Sequence, residues 1–198
     1  MIKKIIIIEG TDNTGKDTLI KNIKNLNKDS KIKEIHCTVP NSSHPIDSAI
    51  EQDYRFMQYV DNILNDKYDA DILIFNRAWY GEFVYGALYR DRKRIEVKKI
   101  IWRLEEKLKD FDITYIQLLS NNLNLLIKND DGKSLANNRI DLMFTERKWF
   151  EQIFNQSKVV KKKIILVNNP DGSFRDKEEI LKDAVKLVNS KVDKYINV

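Results

Sequence analysis

The sequence is short of the residues that build secreted, metal-caged or fibrous proteins. A single cysteine, Cys37, excludes an internal disulfide and a cysteine-only metal site, and it suits a reducing compartment. Six glycines and three prolines among 198 residues are too few for a linker or a collagen-like chain. The two histidines, His36 and His44, read as strand-end and loop residues, so histidine-based nucleophilic catalysis is not expected. No apolar run approaches the roughly 18 residues of a membrane span. The start, Met1 to Lys4, carries the charge of a signal peptide, but Ile5 to Ile8 is too short for its hydrophobic stretch and reads as a strand. A soluble, cytoplasmic protein is the expectation. An Asn-Lys-x-Asp guanine-reading motif is also missing late in the chain, which argues against a GTP-driven switch protein.

What is present alternates. Ile2 to Glu9 is a continuous β-branched run, the pattern of a strand buried on both faces of a parallel sheet. Lys16 to Asn27 follows with Leu19, Ile20, Ile23 and Leu26 at helical spacing. Further strands are expected at Ile32 to Cys37, Asp71 to Phe75, Ile113 to Leu119 and Ile164 to Val167. Helices are expected at Ile46 to Asn65, Tyr80 to Tyr89, Lys93 to Lys109, Ile140 to Phe154 and Glu178 to about Tyr195. Such alternation predicts one α/β domain over residues 1–198, a five-stranded parallel sheet with helices on both faces. The polar segment 128–138 reads as a loop over the sheet edge.

Chemistry enters at Gly10-Thr11-Asp12-Asn13-Thr14-Gly15-Lys16-Asp17-Thr18. Two glycines and a lysine lie at phosphate-loop spacing, directly after a buried strand and before a helix. Inward-pointing backbone N–H groups and the helix N-terminus attract phosphate oxygens, and Lys16 places a cation between the β- and γ-phosphates. Residues 12–18 are therefore expected to hold ATP. The residue after the lysine ordinarily carries a hydroxyl for Mg²⁺; here it is Asp17, and Thr18 comes one place late.

The opening Glu9-Gly10-Thr11-Asp12 leading into Gly15-Lys16 resembles that of thymidylate kinases. The segment Phe75-Asn76-Arg77-Ala78-Trp79-Tyr80-Gly81-Glu82-Phe83-Val84-Tyr85-Gly86-Ala87-Leu88-Tyr89-Arg90 is similar to the corresponding segment of thymidylate-kinase-like deoxynucleotide kinases common in phages. The Lys128-to-Ser134 stretch is similar to the lid of that family. The resemblance implies a three-layer P-loop kinase that moves a phosphoryl group from ATP to a deoxynucleoside monophosphate, dTMP or a related pyrimidine nucleotide, with Mg²⁺. It also implies a homodimer. Physical reasoning runs alongside it. Arg77 follows a buried strand, so it emerges at the carboxyl edge of the sheet, where its guanidinium forks onto an acceptor phosphate.

Lys16, Arg77 and Lys128 are thus the expected catalytic residues, with Lys128 standing where the family carries an arginine and Lys133 and Arg139 as substitutes. Asp12, Arg55, Arg77, Glu82, Tyr85 and Arg90 are the expected acceptor residues. Glu82 would bond a sugar hydroxyl or orient Arg77, and Asp12 would reach the acceptor sugar or a metal-bound water. Asn76 replaces the family's aspartate, and with Asp17 it reads as an exchange in which the carboxylate lost at the strand end reappears in the phosphate loop. Both are candidate metal residues. The competing readings are a deoxynucleoside kinase using Glu9 or Glu82 as base, a kinase for modified bases, and a nucleotide-binding protein without turnover. The base itself is not legible, since its pocket draws on the 38–43 loop and on Tyr54, Arg55 and Phe56 together.

Overall fold

The computed structural model describes residues 2–41, 44–130, 132, 134–137 and 139–190. Five strands, β1 (Lys4–Gly10), β2 (Ile32–His36), β3 (Ile72–Asn76), β4 (Ile113–Leu119) and β5 (Lys161–Leu166), form one parallel sheet in the order β2-β3-β1-β4-β5. The central strands are the apolar runs of the sequence, and Ile5, Ile6, Ile7 and Ile8 are all fully buried because helices cover both faces. On one face Ile6, Ile8, Ile74 and Ile116 meet Leu19, Ile20 and Ile23 of α1 (Lys16–Leu26), with Ala184 and Val188 of α8 (Lys177–Asn189).

The opposite face is larger. It packs Ile5, Ile7, Phe75 and Tyr115 against α2 (Pro45–Leu64), α5 (Arg94–Lys107) and α7 (Ile140–Gln156). The expected helix 80–89 forms in three pieces: α3 (Trp79–Gly81), a π-helical turn (Glu82–Gly86) and α4 (Ala87–Tyr89). A π-turn accommodates one more residue per turn than the α-helix and marks functional sites more often than chance. A further short helix, α6 (Leu123–Lys128), takes in the first residue of the expected lid. Asp131, Lys133, Asn138 and the end of the last expected helix lie outside the described residues, as do Ser42 and Ser43.

Chain order makes β1 the pivot of the sheet: β2 and β3 lie to one side, and the chain crosses to β4 and β5 on the other. At such a switch point the loops leaving adjacent strands part, and a crevice opens at their carboxyl ends. The loops after β1 and β3 therefore face each other. Among the described residues no helix is long and apolar enough to cross a membrane.

Candidate active site

The loop between β1 and α1 depends on close backbone approach. Gly10 pairs with Leu118, and a Cβ at Gly10 would stand 2.4 Å from the Leu118 carbonyl oxygen. Gly15, at φ 82°, turns the chain into α1 through the left-handed region. Thr14 ties the loop by donating its hydroxyl to Thr11 O at 2.8 Å. Lys16 is buried and bends back onto the loop, donating Nζ to Gly10 O (3.1 Å) and Thr11 O (2.7 Å). Burial, with the Arg77 charge adding to it, pulls its pKa down to about 8, against the pull of Asp12, Glu9 and Asp17. A lysine so desolvated is poised to exchange two neutral carbonyls for phosphate oxygens.

Across the crevice, Arg77 adopts φ 64° directly after β3. Its N–H donates to Ile8 O at 3.0 Å, and its guanidinium donates to Asp12 Oδ1 at 2.5 Å while lying 5.6 Å from the Tyr85 ring centre. The turn behind it is held by Glu9, fully buried, whose Oε1 accepts from the Ala78 and Gly81 N–H groups at 2.7 and 3.0 Å. Desolvation pushes the Glu9 pKa up to about 7, opposed by those two amides and by Arg77 and Lys16. Glu9 serves as an internal staple between the two loops.

Asp17 and Asn76, 59 residues apart, do meet: Asn76 Nδ2 donates to Asp17 Oδ1 at 2.6 Å and to Glu34 Oε1 at 3.3 Å. Both carboxylates only accept, so the Asn76 amide nitrogen must face them and its oxygen remains an acceptor. Among the described residues no cluster of three acidic, histidine or cysteine side chains forms a metal cage. A carboxylate and an amide oxygen beside a phosphate loop instead fit a hard divalent cation that takes most of its ligands from phosphates and water.

Several expected roles are reassigned. Glu82 pairs with Arg90 (2.5 Å) and Arg92 (3.3 Å), so it does not orient Arg77; Asp12 does that. Arg55 does not line the cavity at Arg77, because its guanidinium is spent on Thr38 O (3.0 Å), Thr38 Oγ1 (3.2 Å) and Glu51. Lys128 is the exposed last residue of α6 rather than part of a loop, and Arg139 pairs with Asp141 in solvent. What reaches the phosphate loop from this region is Asp130, which accepts from Asn13 Nδ2 at 3.2 Å.

Two cavities open here, one on the phosphate loop and one at Arg77. One, of about 290 Å³, runs from Asn13, Gly15 and Thr18 to an apolar wall of Leu19, Val167, Phe174 and Ile180, with Arg175 and Lys177 at its rim. The other is smaller and is lined by Gln52, Phe56, Arg77, Glu82, Tyr85 and Arg90, with Leu135 as a cover. Apart from Thr18 and the loop residues, the first cavity is missed by sequence reasoning, since the 168–172 segment reads only as a turn. Glu146 is missed as well. It is buried on α7 and accepts from Tyr89 Oη at 2.6 Å, and desolvation raises its pKa to about 7.

A family model described as Polyphosphate kinase 2 (PPK2) matches residues 2–121, more than half of the chain and the whole of both motif segments. Among solved structures, thymidylate kinase from Candida albicans aligns with a TM-score of 0.65 at 13% identity, covering 93% of this chain and 90% of that one. YorR from Bacillus subtilis, in complex with phosphorylated GDP, aligns with a TM-score of 0.63 at 17% identity over 93% and 95% of the two chains. Polyphosphate Kinase 2 from Arthrobacter aurescens aligns with a TM-score of 0.62 at 10% identity over 94% and 66%. At these identities the likeness is one of fold. No curated protein matches at the level of sequence.

Proposed function

The chain belongs to the polyphosphate kinase 2 family, and from that premise we propose that it transfers the terminal phosphoryl group of ATP to a deoxynucleoside monophosphate, dTMP or a related pyrimidine nucleotide. The observation that carries this reading is the pair of cavities, one on the phosphate loop and one at Arg77. The larger one continues past the phosphate loop into an apolar wall, which offers a nucleobase contact area and offers an inorganic chain nothing. The smaller one is lined by Arg77 and Arg90, whose charge would neutralise an incoming phosphate. The resemblance to thymidylate kinases carries over at the level of the P-loop kinase fold.

In-line transfer requires positioning and electrostatics rather than a protein nucleophile. Lys16 would leave the Gly10 and Thr11 carbonyls for the phosphates, the N-terminus of α1 adds its dipole, and Arg77 would hold the acceptor phosphate. Mg²⁺, when bound, neutralises the transferring oxygens, and Asp17 and Asn76 are the residues that would hold it, partly through water. Asp17→Ser is expected to lower Mg²⁺-dependent turnover by roughly 10–100-fold, and Asp17→Ser with Asn76→Asp to recover part of it. Titration of kcat against Mg²⁺ checks this; absence of rescue would end the exchange reading.

A second reading keeps the acceptor and replaces ATP with inorganic polyphosphate, favoured by the family match and by Lys177 in the lining of the larger cavity. Phe174→Ala separates the two. With ATP as phosphoryl donor, loss of this side chain raises the donor KM about 10-fold at near-constant kcat, since an aromatic contact to a base is worth about 1–1.5 kcal/mol. With polyphosphate, KM stays put. Product assays with ATP and with polyphosphate, each against dTMP, dUMP, dCMP, dGMP and thymidine, test the whole proposal. Turnover of thymidine alone would move the assignment to a nucleoside kinase.

A further inference from the structure

The acceptor cavity contains a polar atom that the protein itself leaves unused. Gln52, on α2, is only 4% exposed and lines the cavity, yet its Oε1 has no hydrogen-bond partner. Its Nε2 donates to the Thr38 carbonyl oxygen at 3.0 Å. A carbonyl only accepts, so the amide nitrogen must be the end at Thr38, and the oxygen is the end left over. The arrangement is reinforced from outside: Arg55 donates to the same Thr38 oxygen at 3.0 Å and is itself anchored by Glu51. Gln52 is thereby held in one orientation before any substrate arrives.

A buried acceptor without a donor is costly, and such an atom in a native site points to a ligand group that completes it. Phe56, Val39 and Leu135 add apolar side chains to the lining, the contact that a planar ring takes. The phosphate-binding charge of Arg77 and Arg90 lines the same cavity. The cavity is about 50 Å³ as it stands, so a ligand with a phosphate at one end, a flat ring at the other and an N–H on the ring edge would satisfy these groups together once the cavity widens around it.

We infer that Gln52 is the base-reading residue of the acceptor site, its Oε1 accepting a hydrogen bond from a ring or exocyclic N–H of the nucleobase, with Thr38 and Arg55 as its positioning residues. This rests on the acceptor assignment made above. One N–H of the amide nitrogen is held by Thr38, and Oε1 is the acceptor left for the base. The site therefore selects for an N–H on the edge presented to Oε1.

The test pairs each deoxynucleoside monophosphate that is turned over with its N-methyl analogue: dTMP with N3-methyl-dTMP, dCMP with N4,N4-dimethyl-dCMP. The wild-type protein is expected to prefer the unmethylated member by at least about 10-fold in kcat/KM, the consequence of leaving a buried acceptor unpaired. In Gln52→Met, of similar volume, the preference should narrow to within about 3-fold, through loss on the unmethylated member. Gln52→Glu, which keeps an acceptor oxygen, should retain part of it. ATP affinity measured on the same variants reports whether the fold and donor side are intact. An unchanged preference in Gln52→Met, or one lost equally in Gln52→Glu and Gln52→Met, overturns the inference while leaving the proposed reaction standing. Absence of turnover of any nucleotide or nucleoside by the wild-type protein overturns both.

Discussion

Replacing Lys16 by methionine is expected to lower kcat by roughly 10³-fold without lowering thermal stability. The two halves of this expectation come from the same geometry. Lys16 is buried, and in the described structure its ammonium is met by two backbone carbonyls, a poor substitute for water. Its pKa, lowered to about 8, is the signature of that deficit. Methionine fills nearly the same volume and needs no solvation, so the folded state has little to lose. Phosphate binding loses its central cation.

The pH dependence follows with a definite sign. Between pH 8 and 10.5 the unfolded chain binds the Lys16 proton and the folded chain does not, so this group makes wild-type stability rise with pH in that window. Lys16→Met removes the rise. Nucleotide affinity moves the other way, because only the protonated lysine attracts phosphate: above pH 8 the Kd for ATP should climb towards about one decade per pH unit. Chemical denaturation and equilibrium titration from pH 7 to 10 check both slopes. A Kd that is flat across this range would mean that Lys16 does not leave the loop carbonyls when nucleotide binds.

The legibility of this site in the sequence was uneven for physical reasons. The strand Ile5 to Ile8 and the loop after it could be read directly, because a strand buried on both faces leaves an unbroken apolar run and a phosphate loop leaves fixed glycine spacing. Arg77 was legible through its place just after a buried strand. Glu146 was not, since one acid among the charges of α7 gives no sign of being buried. The pairing of Asp12 with Arg77 and of Glu82 with Arg90 and Arg92 also escaped: Arg77, Glu82, Arg90 and Arg92 stand in one segment, and spacing alone does not say which carboxylate meets which guanidinium. Helix α6 was missed because six residues are too few to show a period. Gln52 was passed over for Arg55 since a charged side chain three positions away is the more conspicuous acceptor residue, yet it is Gln52 that lines the cavity while Arg55 is held by Thr38 and Glu51.

Arg77→Ala is expected to reduce kcat/KM for the acceptor by roughly 10²–10³-fold while changing the Kd for ATP less than about 3-fold. Arg77→Lys should recover only a fraction, since an ammonium does not fork onto two phosphoryl oxygens. The backbone supplies an independent check. At φ 64° a residue with a Cβ sits in a conformation costing about 1–2 kcal/mol, maintained here because Ile8 O holds the Arg77 N–H and Glu9 holds the Ala78 and Gly81 N–H groups. Arg77→Gly should therefore be more stable than Arg77→Ala by about 1 kcal/mol, yet equally inactive. A strained turn that the protein keeps for an arginine, when glycine would fit better, is understandable if the side chain works on a substrate. Were Arg77→Ala to retain acceptor kcat/KM and lose only stability, Arg77 would be the structural partner of Asp12 and nothing more.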